Sequence, residues 1–177
     1  MSKDHKRSDR HKDGLARRDF LRIGGMAGLA AGTTLPQRLA STEATAAESP
    51  RYPVVDVAPL TKLEPGTTVD FSYPDTDAPA LLLRLDGPAD GGIGPNESVV
   101  AFSLLCTHKG CPLNFKSERN MLICPCHWSS FDPAKAGRLV IGQASDPLPQ
   151  ITLRVTDGIV QAIGISGLIY GRHTNII

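Results

Sequence analysis

The residues best suited to chemistry are cysteines and histidines that cluster in one short part of this 177-residue chain. The four cysteines are Cys106, Cys111, Cys124 and Cys126. Cys106 stands two residues before His108, and Cys124 stands three residues before His127. Thiolate and imidazole groups are common ligands of transition metals in proteins. The two short segments therefore offer two sulfur and two nitrogen ligands, enough for a metal centre.

Three kinds of site fit these residue types. A structural zinc site can use two cysteines and two histidines, although zinc motifs usually begin with a pair of cysteines a few residues apart. Disulfide bonds alone are possible in an exported domain, where four cysteines allow three pairings, but they leave both histidines without a role. A two-iron, two-sulfide cluster with two cysteines on one iron and two histidines on the other gives the histidines a role, and the spacing favours it.

The two segments resemble the two cluster-binding boxes of Rieske proteins. The matching residues are Cys106-Thr107-His108-Lys109-Gly110-Cys111 and Cys124-Pro125-Cys126-His127. Carried over by position, the resemblance implies that Cys106 and Cys124 bind one iron and that His108 and His127 bind the other. The implied cofactor is a Rieske-type 2Fe-2S cluster, a one-electron carrier.

The same resemblance assigns roles to residues near the ligands. Cys111 and Cys126 match the pair that forms a disulfide in the cytochrome bc type, a bond that suits an oxidising compartment. Ser129 stands where high-potential Rieske proteins place a serine that donates to a bridging sulfide, and Phe131 stands where they place a tyrosine that donates to a ligand sulfur. With one donor present and one missing, we predict an intermediate reduction potential. Residues 142–149 resemble the proline-rich loop that shields the cluster, although an ordinary turn between strands is the alternative.

Short strands and turns must position these residues. From residue 50 onward, runs of β-branched residues and leucine alternate with turn residues, which is typical of an antiparallel all-β domain. The predicted strands cover 54–57, 67–73, 80–85, 98–105, 121–124, 138–141, 150–155 and 158–163. The pattern and the resemblance together predict an all-β, Rieske-type antiparallel domain over residues 47–177. A smaller cluster-binding subdomain is expected at about 100–149.

Residues 1–46 are predicted to be an export signal. The segment Arg17-Arg18-Asp19-Phe20-Leu21-Arg22 resembles the twin-arginine signal, and small residues at Ala44-Thr45-Ala46 offer a cleavage site. The weakly apolar segment 23–35 has the length of a signal-peptide core and is too short to cross a bilayer. We therefore expect a protein of the bacterial periplasm, exported already folded. A disordered basic tail followed by a short helix is the alternative.

Composition limits the function further. A net charge of +1 argues against general nucleic-acid binding. No stretch approaches the roughly 20 apolar residues of a membrane-spanning helix, so none is expected unless the leader is retained. An oxygenase needs a further iron held by two histidines and a carboxylate, whereas outside the leader only His173 remains after the cluster takes its two. We therefore predict an electron-transfer protein with no catalytic residue of its own.

Several segments, taken in order, are similar to the small subunit of bacterial arsenite oxidase. They are Tyr73-Pro74-Asp75-Thr76, Gly91-Gly92-Ile93-Gly94-Pro95, Phe131-Asp132-Pro133, Gly142-Gln143-Ala144 and Gly167-Leu168-Ile169-Tyr170-Gly171-Arg172. The similarity implies a heterodimer with a large molybdenum-containing catalytic subunit, with electrons passed to a periplasmic cytochrome c or a cupredoxin. The alternatives are the Rieske subunit of a periplasmic iodate reductase, that of a cytochrome bc-type complex, and a zinc-binding module without redox activity.

Overall fold

A computed structural model describes residues 52–176 of the chain. The export signal predicted over residues 1–46 and its cleavage site lie outside the described residues. Within the described range, no helix has the length and the apolar character that a membrane crossing requires.

The described residues form ten β-strands and four single-turn 3-10 helices. The strands are β1 Val55–Pro59, β2 Thr68–Ser72, β3 Pro79–Arg84, β4 Val99–Ser103, β5 Asn114–Lys116, β6 Met121–Ile123, β7 Ser130–Asp132, β8 Arg138–Ile141, β9 Gln150–Thr156 and β10 Ile159–Ser166. The 3-10 helices are Leu60–Lys62, Pro95–Glu97, Ser117–Arg119 and Pro133–Lys135. The predicted all-β class is confirmed.

All named strands pair antiparallel, in two sheets. The larger sheet has the order β1-β10-β9-β4-β3-β2, and the smaller has the order β5-β6-β7-β8. In the larger sheet β9 and β10 are joined by the two residues Asp157 and Gly158, which both have positive φ (50° and 76°). Positive φ at both central positions is what a type I′ hairpin turn requires, so the hairpin predicted at Thr156-Asp157-Gly158 forms.

Strand β4 lies between two hydrophobic cores, and all five of its residues are buried. Its side chains alternate: Val99 and Ala101 belong to one core, while Val100 and Phe102 belong to the other. Successive side chains of a strand point to opposite faces, so both faces of the larger sheet are covered at β4. The chain leaves this strand directly into the first cysteine segment, which therefore starts from a rigid support.

Candidate metal centre

The first loop, Cys106–Cys111, connects β4 to β5. It is closed by two backbone hydrogen bonds: the N–H of Gly110 donates to the carbonyl of Cys106 at 2.8 Å, and the N–H of Cys106 donates to the carbonyl of Cys111 at 2.9 Å. Gly110 has a φ of +70°, a conformation that glycine adopts without steric cost. The loop is thus a tight turn that carries a cysteine at its start and His108 near its tip.

The second loop, Cys124–Ser129, connects β6 to β7 and repeats this hydrogen-bonding pattern. The N–H of Trp128 donates to the carbonyl of Cys124 at 3.0 Å, and the N–H of Cys124 donates to the carbonyl of Ser129 at 2.9 Å. Trp128, at the position that corresponds to Gly110, also has positive φ, at +60°. Because the two turns have the same form, each presents its first cysteine in the same local geometry.

The two loops lie side by side. Their second cysteines, Cys111 and Cys126, are joined by a disulfide bond with a Cα–Cα distance of 6.5 Å. The rings of His108 and His127 meet edge to face, with their centroids 4.8 Å apart. The structure therefore brings the two histidines of the predicted ligand set together and contains the disulfide that the resemblance implied.

The remaining two cysteines are free thiols in the protein interior. Cys106 and Cys124 are each 1% exposed, and both belong to the core on one side of β4. The histidines lie nearer the surface, since His108 is half-buried and His127 is exposed. The four candidate ligands thus divide into an inner pair of sulfurs and an outer pair of imidazoles, which is the division of ligands in a Rieske centre.

Burial makes the inner pair of thiols costly to ionise without a compensating cation. Burial raises the pKa of the Cys106 thiol; the N–H of His108 opposes this rise, and the adjacent Cys124 thiol adds to it. Two thiolates buried together are costly unless positive charge compensates them, and metal binding to such thiols releases their protons. The chemistry of this donor set therefore fits an iron-sulfur cluster.

A different group of sulfurs also lies close together, but it does not form a second metal site. The sulfur atoms of Cys111, Cys124 and Cys126 lie within 4.8 Å of one another. Two of these three sulfurs are oxidised in the disulfide, whereas a metal ligand must be a thiolate. The three sulfurs lie together because the disulfide is adjacent to the free thiol of Cys124.

The hydroxyl of Ser129, at the end of the second loop, keeps a free donor hydrogen among the described residues. Its hydroxyl oxygen accepts the N–H of Gln143 at 3.0 Å and the N–H of Ala144 at 3.1 Å. A hydroxyl has two acceptor positions and one donor hydrogen, so the hydrogen remains. Ser129 is fully buried, and no acceptor for this hydrogen is found among residues 52–176. A cluster sulfide beside Cys124 would supply one.

The segment 142–149 contacts both loops. Besides its bonds to Ser129, it receives at the Asp146 carbonyl a hydrogen bond from the hydroxyl of Thr107 in the first loop, at 2.8 Å. The backbone of Gly142 lies so close to Ser129 that a Cβ atom on Gly142 would be 2.3 Å from the Ser129 Cα. The resemblance predicted that this segment shields the cluster, but the individual contacts have no signature in the sequence, since their partners are distant in the chain.

Phe131 supplies no polar group. Its side chain is fully buried in the same core as Cys106 and Cys124, and its strand β7 pairs with β6 and β8 on either side. The donor that high-potential Rieske proteins have at this position is therefore missing, as the sequence indicates.

Comparison with known proteins agrees with this geometry. Residues 54–152 match the family model of the Rieske [2Fe-2S] domain. The chain thus belongs to the Rieske [2Fe-2S] family, and its cofactor is a 2Fe-2S cluster. Among solved structures, the soluble domain of Rieske protein II (soxF) from Sulfolobus acidocaldarius is similar, with a TM-score of 0.60 and 26% identity. That similarity covers 70% of this chain and 85% of the other.

Two relatives match nearly the whole chain. Iodate reductase subunit IdrB from Denitromonas iodatirespirans is 39% identical over 91% of this chain and 86% of the relative. The subunit of the same name from Pseudomonas sp. (strain SCT) is 37% identical over 89% of this chain and 82% of the relative. The chain is therefore similar to electron-transfer subunits of oxidoreductases.

Replacing Gly142 by alanine is expected to weaken cluster retention. The added Cβ would collide with Ser129, and the φ of +124° at Gly142 is strained for any other residue. We expect less iron and less acid-labile sulfide per purified protein, together with a lower thermal midpoint. Gly158→Ala is the matched control, because Gly158 also has positive φ (+76°) but open space around its Cβ position. Gly158→Ala should lower the free energy of unfolding by about 1 kcal/mol and keep its iron. Equal iron loss in the two variants would contradict a role of the contact between Gly142 and Ser129 in holding the cluster.

Proposed function

We propose that Cys106 and Cys124 ligate one iron of the cluster and that His108 and His127 ligate the other. The matched backbone geometry of the two loops supports this assignment, as does the burial of both thiols. The edge-to-face contact of the imidazoles, with centroids 4.8 Å apart, gives further support. The disulfide between Cys111 and Cys126 then holds the two halves of the site together without supplying a ligand.

The ligand types determine the redox behaviour. When bound, the 2Fe-2S group supplies one-electron transfer. His108 and His127 contribute neutral imidazoles in place of two further thiolates, which lowers the negative charge around the irons and raises the reduction potential. Their position nearer the surface makes the histidine side the side through which electrons enter and leave.

We propose further that this chain exchanges electrons with the catalytic subunit of a periplasmic molybdenum oxidoreductase of the iodate reductase type. The observation that carries the proposal is the similarity to two iodate reductase subunits over most of the chain. The sequence segments alone favour arsenite oxidase, with iodate reductase as the alternative; the similarity to the two iodate reductase subunits supports the alternative better. In a reductase, single electrons would pass from a periplasmic cytochrome c or cupredoxin through this chain to the catalytic subunit.

The proposed location is the periplasm, reached by twin-arginine export of the folded protein. The arginine pair in the leader supports this location, and so does the disulfide, a bond that persists in oxidising compartments. Because this subunit is exported already folded, the same leader also exports a catalytic subunit that is bound to it.

Purification of the native complex tests this function. We expect a large molybdenum-containing subunit to copurify with this chain and the complex to reduce iodate when supplied with a reduced periplasmic electron donor. Arsenite oxidation without iodate reduction would instead support the arsenite oxidase interpretation. A chain that purifies without iron or acid-labile sulfide would contradict the electron-transfer role in either complex.

Serine substitutions separate the proposed ligands from the disulfide. Cys106→Ser should lose iron, acid-labile sulfide and the Rieske-type electron paramagnetic resonance (EPR) signal, because a hydroxyl replaces a ligand thiolate. The double variant Cys111→Ser/Cys126→Ser should keep the signal and lose about 2–5 kcal/mol of stability. If the sulfurs of Cys111, Cys124 and Cys126 held the metal instead, the double variant would lose its iron and Cys106→Ser would keep it.

Phe131→Tyr is expected to raise the reduction potential. A phenol at this position adds a hydrogen bond that stabilises the reduced, more negative cluster more than the oxidised one. Each kcal/mol of this difference raises the one-electron reduction potential by about 40 mV. Protein-film voltammetry measures the change. Phe115→Tyr, which adds a hydroxyl to β5 in the same sheet, is the control and should leave the potential unchanged; an unchanged or lowered potential in Phe131→Tyr would contradict the hydrogen-bond account.

A further inference from the structure

The segment that follows β10, residues 167–176, is firmly anchored although it has no regular structure. Ile169 is fully buried, and Asn175 is 6% exposed. The Asn175 side chain accepts the N–H of Ile169 at 2.9 Å and donates to the carbonyl of Gly167 at 2.7 Å and to the hydroxyl of Tyr52 at 3.2 Å. One amide side chain thus holds the segment closed on itself and against the start of the described chain.

A second anchor ties this segment to the turn between β2 and β3. The Arg172 guanidinium donates two hydrogen bonds to the Asp75 carboxylate, at 2.6 and 2.8 Å. The Arg172 side chain is only 12% exposed. Bidentate, charge-assisted pairs of this kind fix geometry as well as adding energy, so the position of the segment between its two anchors is well determined.

Tyr170, two residues before Arg172 and next to the buried Ile169, contacts the first cluster loop. A Cβ atom at Gly110 would lie 2.6 Å from Cδ1 and 2.9 Å from Cε1 of the Tyr170 ring. The ring edge therefore occupies the space that a side chain at Gly110 would need. Tyr170 is 41% exposed, so a large part of the ring remains outside the core while its edge packs on the loop.

The conformation of the first loop depends on the position of Gly110. Its N–H makes the 2.8 Å hydrogen bond to Cys106 that closes the turn, and it lies two residues after His108. A displacement of Gly110 changes the course of the turn on which His108 is carried. The Cys106 end of the loop follows β4, and Cys111 at the other end is held by the disulfide. Tyr170 adds a contact at Gly110, which lies between the loop tip and Cys111.

We propose that Tyr170 is a positioning residue for His108: anchored through Arg172 and Asn175, it presses on Gly110 and keeps the first loop in one conformation. The orientation of the His108 imidazole toward its iron then depends on a side chain 62 positions later in the chain. This inference rests on the proposed ligand role of His108.

The test compares Tyr170→Ala with Tyr170→Phe in the cluster-loaded protein. The contact with Gly110 is made by ring carbons, so phenylalanine should behave like tyrosine. Tyr170→Ala should broaden the EPR lines of the reduced cluster, because His108 then samples several orientations. It should also make amide exchange in the 106–111 peptide about fivefold faster, as expected when a loop opens more readily. Leu168→Ala is the matched control, since Leu168 is an exposed apolar residue of the same segment (51%).

Two further variants make the result decisive. Arg172→Gln removes the ion pair but keeps Tyr170, and should give the same changes as Tyr170→Ala to a smaller degree. Gly110→Ala forces the ring away and should broaden the same EPR lines. Wild-type line shape together with wild-type exchange in Tyr170→Ala would overturn the proposal, as would an equal effect of Leu168→Ala. Failure of the ligand assignment is recognised separately: if His108 is not a ligand, His108→Ala would keep the Rieske-type EPR signal, while exchange in the 106–111 peptide would still respond to Tyr170→Ala.

Discussion

The burial of two thiols beside each other is the constraint on which the rest of this structure depends. Cys106 and Cys124 lie in the hydrophobic core on one side of β4, almost without exposure. Thiolates in such a place require a compensating cation, and the loops that deliver them must tolerate little movement. Each thiol belongs to the first residue of a loop without regular structure, so strand pairing alone cannot hold it in place. Contacts from the surrounding chain have to fix the two loops.

Three separate contacts supply that support. The disulfide of Cys111 and Cys126 joins the two loops covalently. The segment 142–149 hydrogen-bonds to both loops, through Ser129 and through Thr107. The segment after β10 packs Tyr170 against Gly110 in the first loop. Together they hold the loops from different directions, so that a cluster can change its charge by one electron while its ligands stay in place.

The sequence predicted the all-β class and eight of the strands, because those strands have at least one run of apolar residues with a strand-like pattern. Strands β5 and β7 were not predicted. Each has three residues with a single apolar one, Phe115 or Phe131, and three residues are too few for a period of two to be recognised. Both strands exist because β6 pairs with each of them. Within the site, the two loops were predicted from local spacing, whereas the contact of Gly142 with Ser129 has no signature in the sequence.

The sequence by itself determined the chemical character of the protein: two thiols and two imidazoles on short turns, followed closely by Ser129 and Phe131. The cysteine and histidine pattern is local, since it depends on residue type and on separations of a few positions, whereas the tuning roles of the serine and the phenylalanine are inferred from the family resemblance alone. Only the tertiary structure decided that the thiols lie inside and the histidines nearer the surface, and that Tyr170 packs against the loop that carries His108. Such relations join residues far apart in the chain, and long-range packing sets them.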